Sequence, residues 1–168
     1  MDPRRRFFLR GSLQQAAAPQ APRPPRPPWA LPDEAAFTAR CTRCGDCRRA
    51  CPRELLHEGD GGFPEIRFTR QGCDACGACS RACPTGAIGP VGGEAFTWRV
   101  SVAPHCLALR QVECRACGDA CDAGALRFRP ALGGIHRLVV DSTACTGCGD
   151  CLPPCPVGAL RLAEPDGA

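Results

Sequence analysis

The chain has 168 residues, of which 16 are cysteine, 19 glycine and 18 proline, with seven Phe, two Trp and no Tyr. So few large apolar side chains leave a purely hydrophobic core marginal, and something bound must help hold the fold. Basic and acidic residues number 21 and 17, a formal charge of +4, and every basic residue is arginine.

Residues 1–32 differ from the rest. They run from a basic start through a proline-dense stretch, RPPRPP at 23–28, which favours an extended spacer. The sequence predicts a disordered tail over 1–32, with Trp29 anchoring its end on the folded body. The basic excess lies in the N-terminal part of the chain, but no groove-reading motif accompanies it, so no nucleic-acid partner is expected. Arg5-Arg6-Phe7-Phe8-Leu9-Arg10 resembles a twin-arginine export signal. The polar and proline-rich residues that follow are not an apolar signal region, so no export is expected. No run approaches the roughly 18 apolar residues of a membrane span.

From residue 33 the chain is built of four cysteine groups. The first is CTRCGDCRRACP, with Cys41, Cys44, Cys47 and Cys51; EIRFT at 65–69 follows as a strand. The second is CDACGACSRACP, with Cys73, Cys76, Cys79 and Cys83, and AFTWRVSV at 95–102 follows. The third reads Cys106, then Cys114, Cys117 and Cys121. Between groups three and four, LRFRP, ALGG and IHRLVVD (126–141) read as two strands around a Gly133-Gly134 turn. The fourth group is CTGCGDCLPPCP, with Cys145, Cys148, Cys151 and Cys155. Short helical turns are expected at the groups, and no long amphipathic helix.

Groups one, two and four follow C-x2-C-x2-C-x3-C-P, the bacterial ferredoxin run. Three thiolates so spaced wrap one iron–sulfur cube, and the fourth points to the other cluster of a pair. Small residues between them let backbone amides approach the cluster. In group three the first ligand would fall at Gln111, but the nearest cysteine is Cys106, and Asp122 stands in place of the proline. A loop can bring Cys106 home, so a fourth 4Fe–4S cluster is expected, with a 3Fe–4S cluster or a labile site as alternatives. Zinc sites show paired C-x2-C arms rather than three crowded thiolates, and disulfides suit secreted chains.

All sixteen cysteines are thus candidate ligands of four 4Fe–4S clusters. Adjacent pairing gives the sets Cys41, Cys44, Cys47, Cys83; Cys51, Cys73, Cys76, Cys79; Cys106, Cys114, Cys117, Cys155; and Cys121, Cys145, Cys148, Cys151. A nested pairing, first group with fourth and second with third, satisfies the sequence as well. The expected fold is α+β: tandem two-cluster ferredoxin-like modules of short strands, short helices and many loops, at 33–98 and 99–168. His105 abuts Cys106, but its ordinary reading is a loop histidine. No P-loop, dinucleotide fingerprint or Ser/His/Asp constellation is present, so no catalytic residue and no enzymatic turnover are expected.

Several features together resemble one family. They are the Arg-Arg start, RPPW at 26–29, CTRC at 41–44, GGFPEIRF at 61–68, and above all CLALRQVECRACGDAC at 106–121 with FRPALGGI at 128–135. The chain resembles the NapF family, ferredoxin-type accessory proteins of periplasmic nitrate reductase systems. The resemblance implies a cytoplasmic iron–sulfur protein whose partner is the catalytic subunit of that reductase before export. It implies help in maturing that subunit, by cluster assembly or reduction, and it places all sixteen cysteines at ligand positions. The alternatives are a general electron-transfer polyferredoxin and an electron-transfer subunit of an oxidoreductase complex.

Overall fold

The computed structural model describes residues 25–131 and 133–164. The Arg-Arg start and most of the expected tail lie outside the described residues. Residues 25–32 do not behave as a tail. Pro27 and Pro28 are buried, and Arg26 is 6% exposed. The Arg26 guanidinium pairs with Glu34 at 2.5 Å, donates to the Pro64 carbonyl at 3.1 Å and lies over the rings of Phe37 and Phe63. The Trp29 amide donates to the Ala95 carbonyl, and Ala30 bridges Ile88. Proline composition argued for a free spacer; one buried guanidinium with partners on three sides overrides it.

Among the described residues, four short α-helices punctuate the chain. Helix α1 (Glu34–Arg40) starts on Asp33, whose carboxylate accepts the Ala36 amide at 2.8 Å. It carries Phe37, fully buried, into the first core. Helices α2 (Asp46–Ala50), α3 (Ala78–Arg81) and α4 (Ala116–Asp119) each begin inside a cysteine group. One-turn helices of this kind have no stability of their own and depend on their packing.

Six strands among the described residues form three antiparallel ribbons: β1 (Leu56–Glu58) with β2 (Pro64–Ile66), β3 (Arg99–Val102) with β6 (Leu160–Ala163), and β4 (Leu126–Pro130) with β5 (His136–Val140). The β4–β5 hairpin was legible from its alternation and its glycine turn. The strand expected at 65–69 extends only to Ile66, and that expected at 95–102 begins at Arg99.

The two halves repeat one plan. In each, a ribbon lies between two cysteine groups: β1–β2 in the first, β4–β5 in the second. A second pairing joins the start of the half to its end, through the Ala30–Ile88 bridge or the β3–β6 ribbon. Each half has its own small core. The first gathers Phe37, Leu55, Leu56, Ile66, Ile88 and Phe96 with Cys47 and Cys79. The second gathers Val100, Leu126, Leu138 and Leu160 with Cys106, Cys117 and Cys151. Cysteines therefore make up a large part of what is buried, consistent with short, α+β, ferredoxin-like modules.

Candidate metal centre

The backbone around the cysteines repeats residue by residue. The residue before the second cysteine is left-handed in groups one, two and four: Arg43, Ala75 and Gly147, with φ of 59°, 54° and 72°. The residue after that cysteine is a left-handed glycine, Gly45, Gly77 or Gly149. These conformations are costly for Arg43 and Ala75, and they curl the loop around a central space. Three residues past each fourth cysteine the chain is left-handed again, at Glu54, Gly86, Gly124 and Gly158. That turn delivers a buried apolar pair, such as Ala87-Ile88 or Ala159-Leu160, to the core. It also aims amides at sulfur: Ile88 N–H donates to Cys83 Sγ at 3.4 Å and Ala159 N–H to Cys155 Sγ at 3.3 Å.

The sixteen cysteines gather into four quartets, each lining one cavity. Site I is lined by Cys41, Cys44, Cys47 and Cys83. Site II is lined by Cys51, Cys73, Cys76 and Cys79. Cys106, Cys114, Cys117 and Cys155 surround site III, and Cys121, Cys145, Cys148 and Cys151 surround site IV. These are the adjacent sets; the nested sets are not brought together. In every quartet the fourth cysteine of one group crosses to the first three of its neighbour.

Group three reaches the same arrangement by a different backbone. Residues 107–113 fold on themselves, with a single 3-10 turn at Ala108–Arg110 and left-handed Gln111. The Val112 amide donates to the Leu107 carbonyl at 2.9 Å and closes the base of the loop. Cys106, 8% exposed, thereby lies beside Cys114. Site III encloses about 320 Å³ and site IV about 310 Å³, openings to solvent included. His105 has no part in lining site III.

Among the described residues, no three of His, Cys, Asp and Glu converge closely enough to hold a single metal ion. A mononuclear zinc site draws its sulfurs to about 2.3 Å from one point. Each quartet instead rings a volume, the geometry a polynuclear cluster needs.

Burial sets the chemistry of the iron-free thiols. Desolvation pushes Cys47, Cys73 and Cys117 up to about 11, helped by neighbouring cysteines. It pushes Cys79 and Cys151 up to about 12. The neighbours that add to the rise at Cys47 include Cys41 and Cys83, and those at Cys151 include Cys148 and Cys121. Cys83 goes the other way: burial would raise it, but the Ile88 amide and the Thr85 hydroxyl hold it below the ordinary thiol value. Four crowded, desolvated sulfurs repel as thiolates, and only a bound cation of high charge makes the quartet stable in that form.

The comparisons with known proteins agree with this geometry. Residues 40–88 and residues 112–159 each match a family described as a 4Fe-4S dicluster domain. The second match begins after Cys106, the displaced cysteine that the structure returns to site III. The chain is 41% identical to the ferredoxin-type protein NapF of Haemophilus influenzae, over 95% of this chain and 93% of that one. It is 39% identical to the ferredoxin-type protein NapF of Escherichia coli K12, over 95% and 94%. It is 35% identical to the methylamine utilization ferredoxin-type protein MauM of Methylophilus methylotrophus, over 80% and 68%. Among the described residues, no helix is long and apolar enough to cross a membrane. With quartets of cysteine, two dicluster halves and end-to-end similarity to these relatives, the chain belongs to the NapF family of ferredoxin-type iron–sulfur proteins.

Proposed function

We propose that each quartet holds one 4Fe–4S cluster, four in all, with the sixteen cysteines as their ligands. We propose further that this protein acts in the cytoplasm on the catalytic subunit of a periplasmic nitrate reductase before that subunit is exported, assisting its maturation. The observation that carries the reading is the set of four like-built quartets in a chain similar to NapF proteins along nearly its whole length. The donor set fits the group: four sulfurs around each cavity, left-handed loops that bring backbone close, and amides aimed at Cys83 and Cys155. When bound, such a cluster supplies a one-electron redox centre. The chain's own part is to exclude water with apolar residues such as Leu55, Ile66, Leu126 and Leu160, and to donate amide hydrogens that stabilise charge on sulfur. The similarity to NapF proteins supports reading the protein as an accessory factor rather than an enzyme.

A second reading is a general electron carrier, favoured by the clusters alone. The two are separated by the iron, sulfide and molybdenum content of the reductase catalytic subunit, isolated from cells with and without this protein. Maturation predicts a subunit deficient in its cluster when this protein is absent. A subunit that is fully loaded but slow in such cells supports electron supply. One that is loaded and fully active overturns the maturation reading.

A further inference from the structure

The two halves meet at an unusually direct contact. The Cys73 amide donates to the Cys148 carbonyl at 2.8 Å. Beside it, the Gly72 amide donates to Asp150 Oδ1 at 2.7 Å. Arg53 fastens the same spot, donating to the Gly72 carbonyl at 2.9 Å and pairing with Asp74 at 3.2 Å and Asp150 at 3.7 Å. A Cβ on Gly72 would stand 2.4 Å from the Asp150 nitrogen and 2.5 Å from the Cys148 oxygen, both backbone atoms that cannot swing away. On the flanks, Trp98 Nε1 donates to the Gly147 carbonyl at 2.8 Å, and the Phe68 ring covers Gly149. A cavity of about 710 Å³ beside the contact, openings to solvent included, is lined by Cys73 together with Cys145 and Cys148.

Cys73 belongs to site II and Cys148 to site IV. The contact therefore joins the ligand loops of two different halves by a backbone hydrogen bond. Within the first half, α2 packs on α3, which places sites I and II side by side. In the second half, sites III and IV exchange their crossing cysteines, Cys155 and Cys121. The spatial order of the sites thus differs from their order in sequence: I, II, IV, III.

We infer that the Cys73–Cys148 contact is the electron junction between the halves, and that site III, built by the displaced Cys106, is the far terminus of the line. This rests on the reading that each quartet holds a 4Fe–4S cluster. The path runs Sγ–Cβ–Cα–N–H···O=C–Cα–Cβ–Sγ, with one hydrogen bond and no gap through space. One electron, supplied by a low-potential one-electron reductant such as dithionite, leaves one half oxidised by one and the other reduced by one as it crosses. No bond is made or broken and no proton moves. Electronic coupling through bonded atoms falls less steeply than through empty space, so the close approach that Gly72 permits is what makes the crossing efficient.

The test uses the full chain, loaded without oxygen. Cys44→Ala with Cys114→Ala disables sites I and III and leaves II and IV. Electron paramagnetic resonance of the dithionite-reduced protein is then expected to show two interacting spins, split or broadened by each other. Adding Gly72→Val, which wedges the contact open, is expected to reduce that splitting at least twofold with iron content unchanged. Two independent signals in the double variant, with iron lowered by about two to eight atoms per chain, overturn the junction. Iron that stays at the native content in the double variant overturns the quartet reading and the proposal with it. Gly72→Val in the otherwise native chain gives a second readout. It is expected to keep full iron with a narrower reduced spectrum; an unchanged spectrum overturns the junction.

Discussion

Arg26 shows what a single residue does here. Among the described residues it is the one buried charged side chain, and it ties residues before the first cysteine group to α1 and to β2 through Glu34 and Pro64. Replacing it with alanine removes charged hydrogen bonds and leaves Pro64 without its donor. Arg26→Ala is expected to destabilise the loaded protein by about 2–3 kcal/mol, read as a drop in thermal midpoint; a midpoint within error of the native protein contradicts this. Cys106 is the residue-scale test of site III. Cys106→Ala is expected to lower bound iron by between one and four atoms per chain, with the other three sites unaffected. Unchanged iron shows that Cys106 is not a ligand.

At the scale of elements, the loop at 107–113 explains how a group with altered spacing still completes a quartet. Its base is closed by the Val112–Leu107 hydrogen bond, and Glu113 pairs with His136 on β5 at 3.0 Å. Of the inserted residues, Ala108 lines the site and packs on the second core, while Leu109, Arg110, Gln111 and Val112 are exposed outside it. Deleting 108–112 restores the spacing Cys106-Leu107-Glu113-Cys114, and the shortened chain is expected to keep its full iron content. A loss of site III iron means that the loop itself positions Cys106. Much of this was legible in the sequence, because the cysteine spacing is set by the shape of an iron–sulfur cube and leaves little freedom. The quartets follow from that spacing once neighbouring groups pair, although sequence alone admitted nested pairing too. The docking of residues 25–32 was not legible, because its cause is a partner set — Glu34, Pro64, Phe37, Phe63 — scattered along the chain. The same holds for the contact of Gly72 with Asp150, 78 residues apart. A glycine before a cysteine carries no signal of what it will touch.

For the whole molecule, the cores are too small and too rich in cysteine to hold the fold without the clusters. Removing iron with a chelator under reducing conditions is expected to abolish cooperative unfolding, followed by circular dichroism; a sharp transition in the iron-free chain contradicts it. The pH dependence has two opposite demands. Burial at positions such as Cys47 and Cys79 favours protonated thiols, an effect complete below the ordinary value of 9.0 and lost as pH rises through about 11 to 12. Loading requires thiolates, so protons compete with iron, and falling pH shifts the balance toward the empty, protonated state. Iron release is therefore expected to accelerate steadily on acidification, followed by loss of visible absorbance; release independent of pH contradicts it.

Sixteen cysteines acting as four quartets fix a stoichiometry. The most direct measurement is the iron, acid-labile sulfide and zinc content of the full chain purified without oxygen. About sixteen iron and sixteen sulfide per chain are expected, with negligible zinc. Iron well below this with stoichiometric zinc, or iron without matching sulfide, contradicts it.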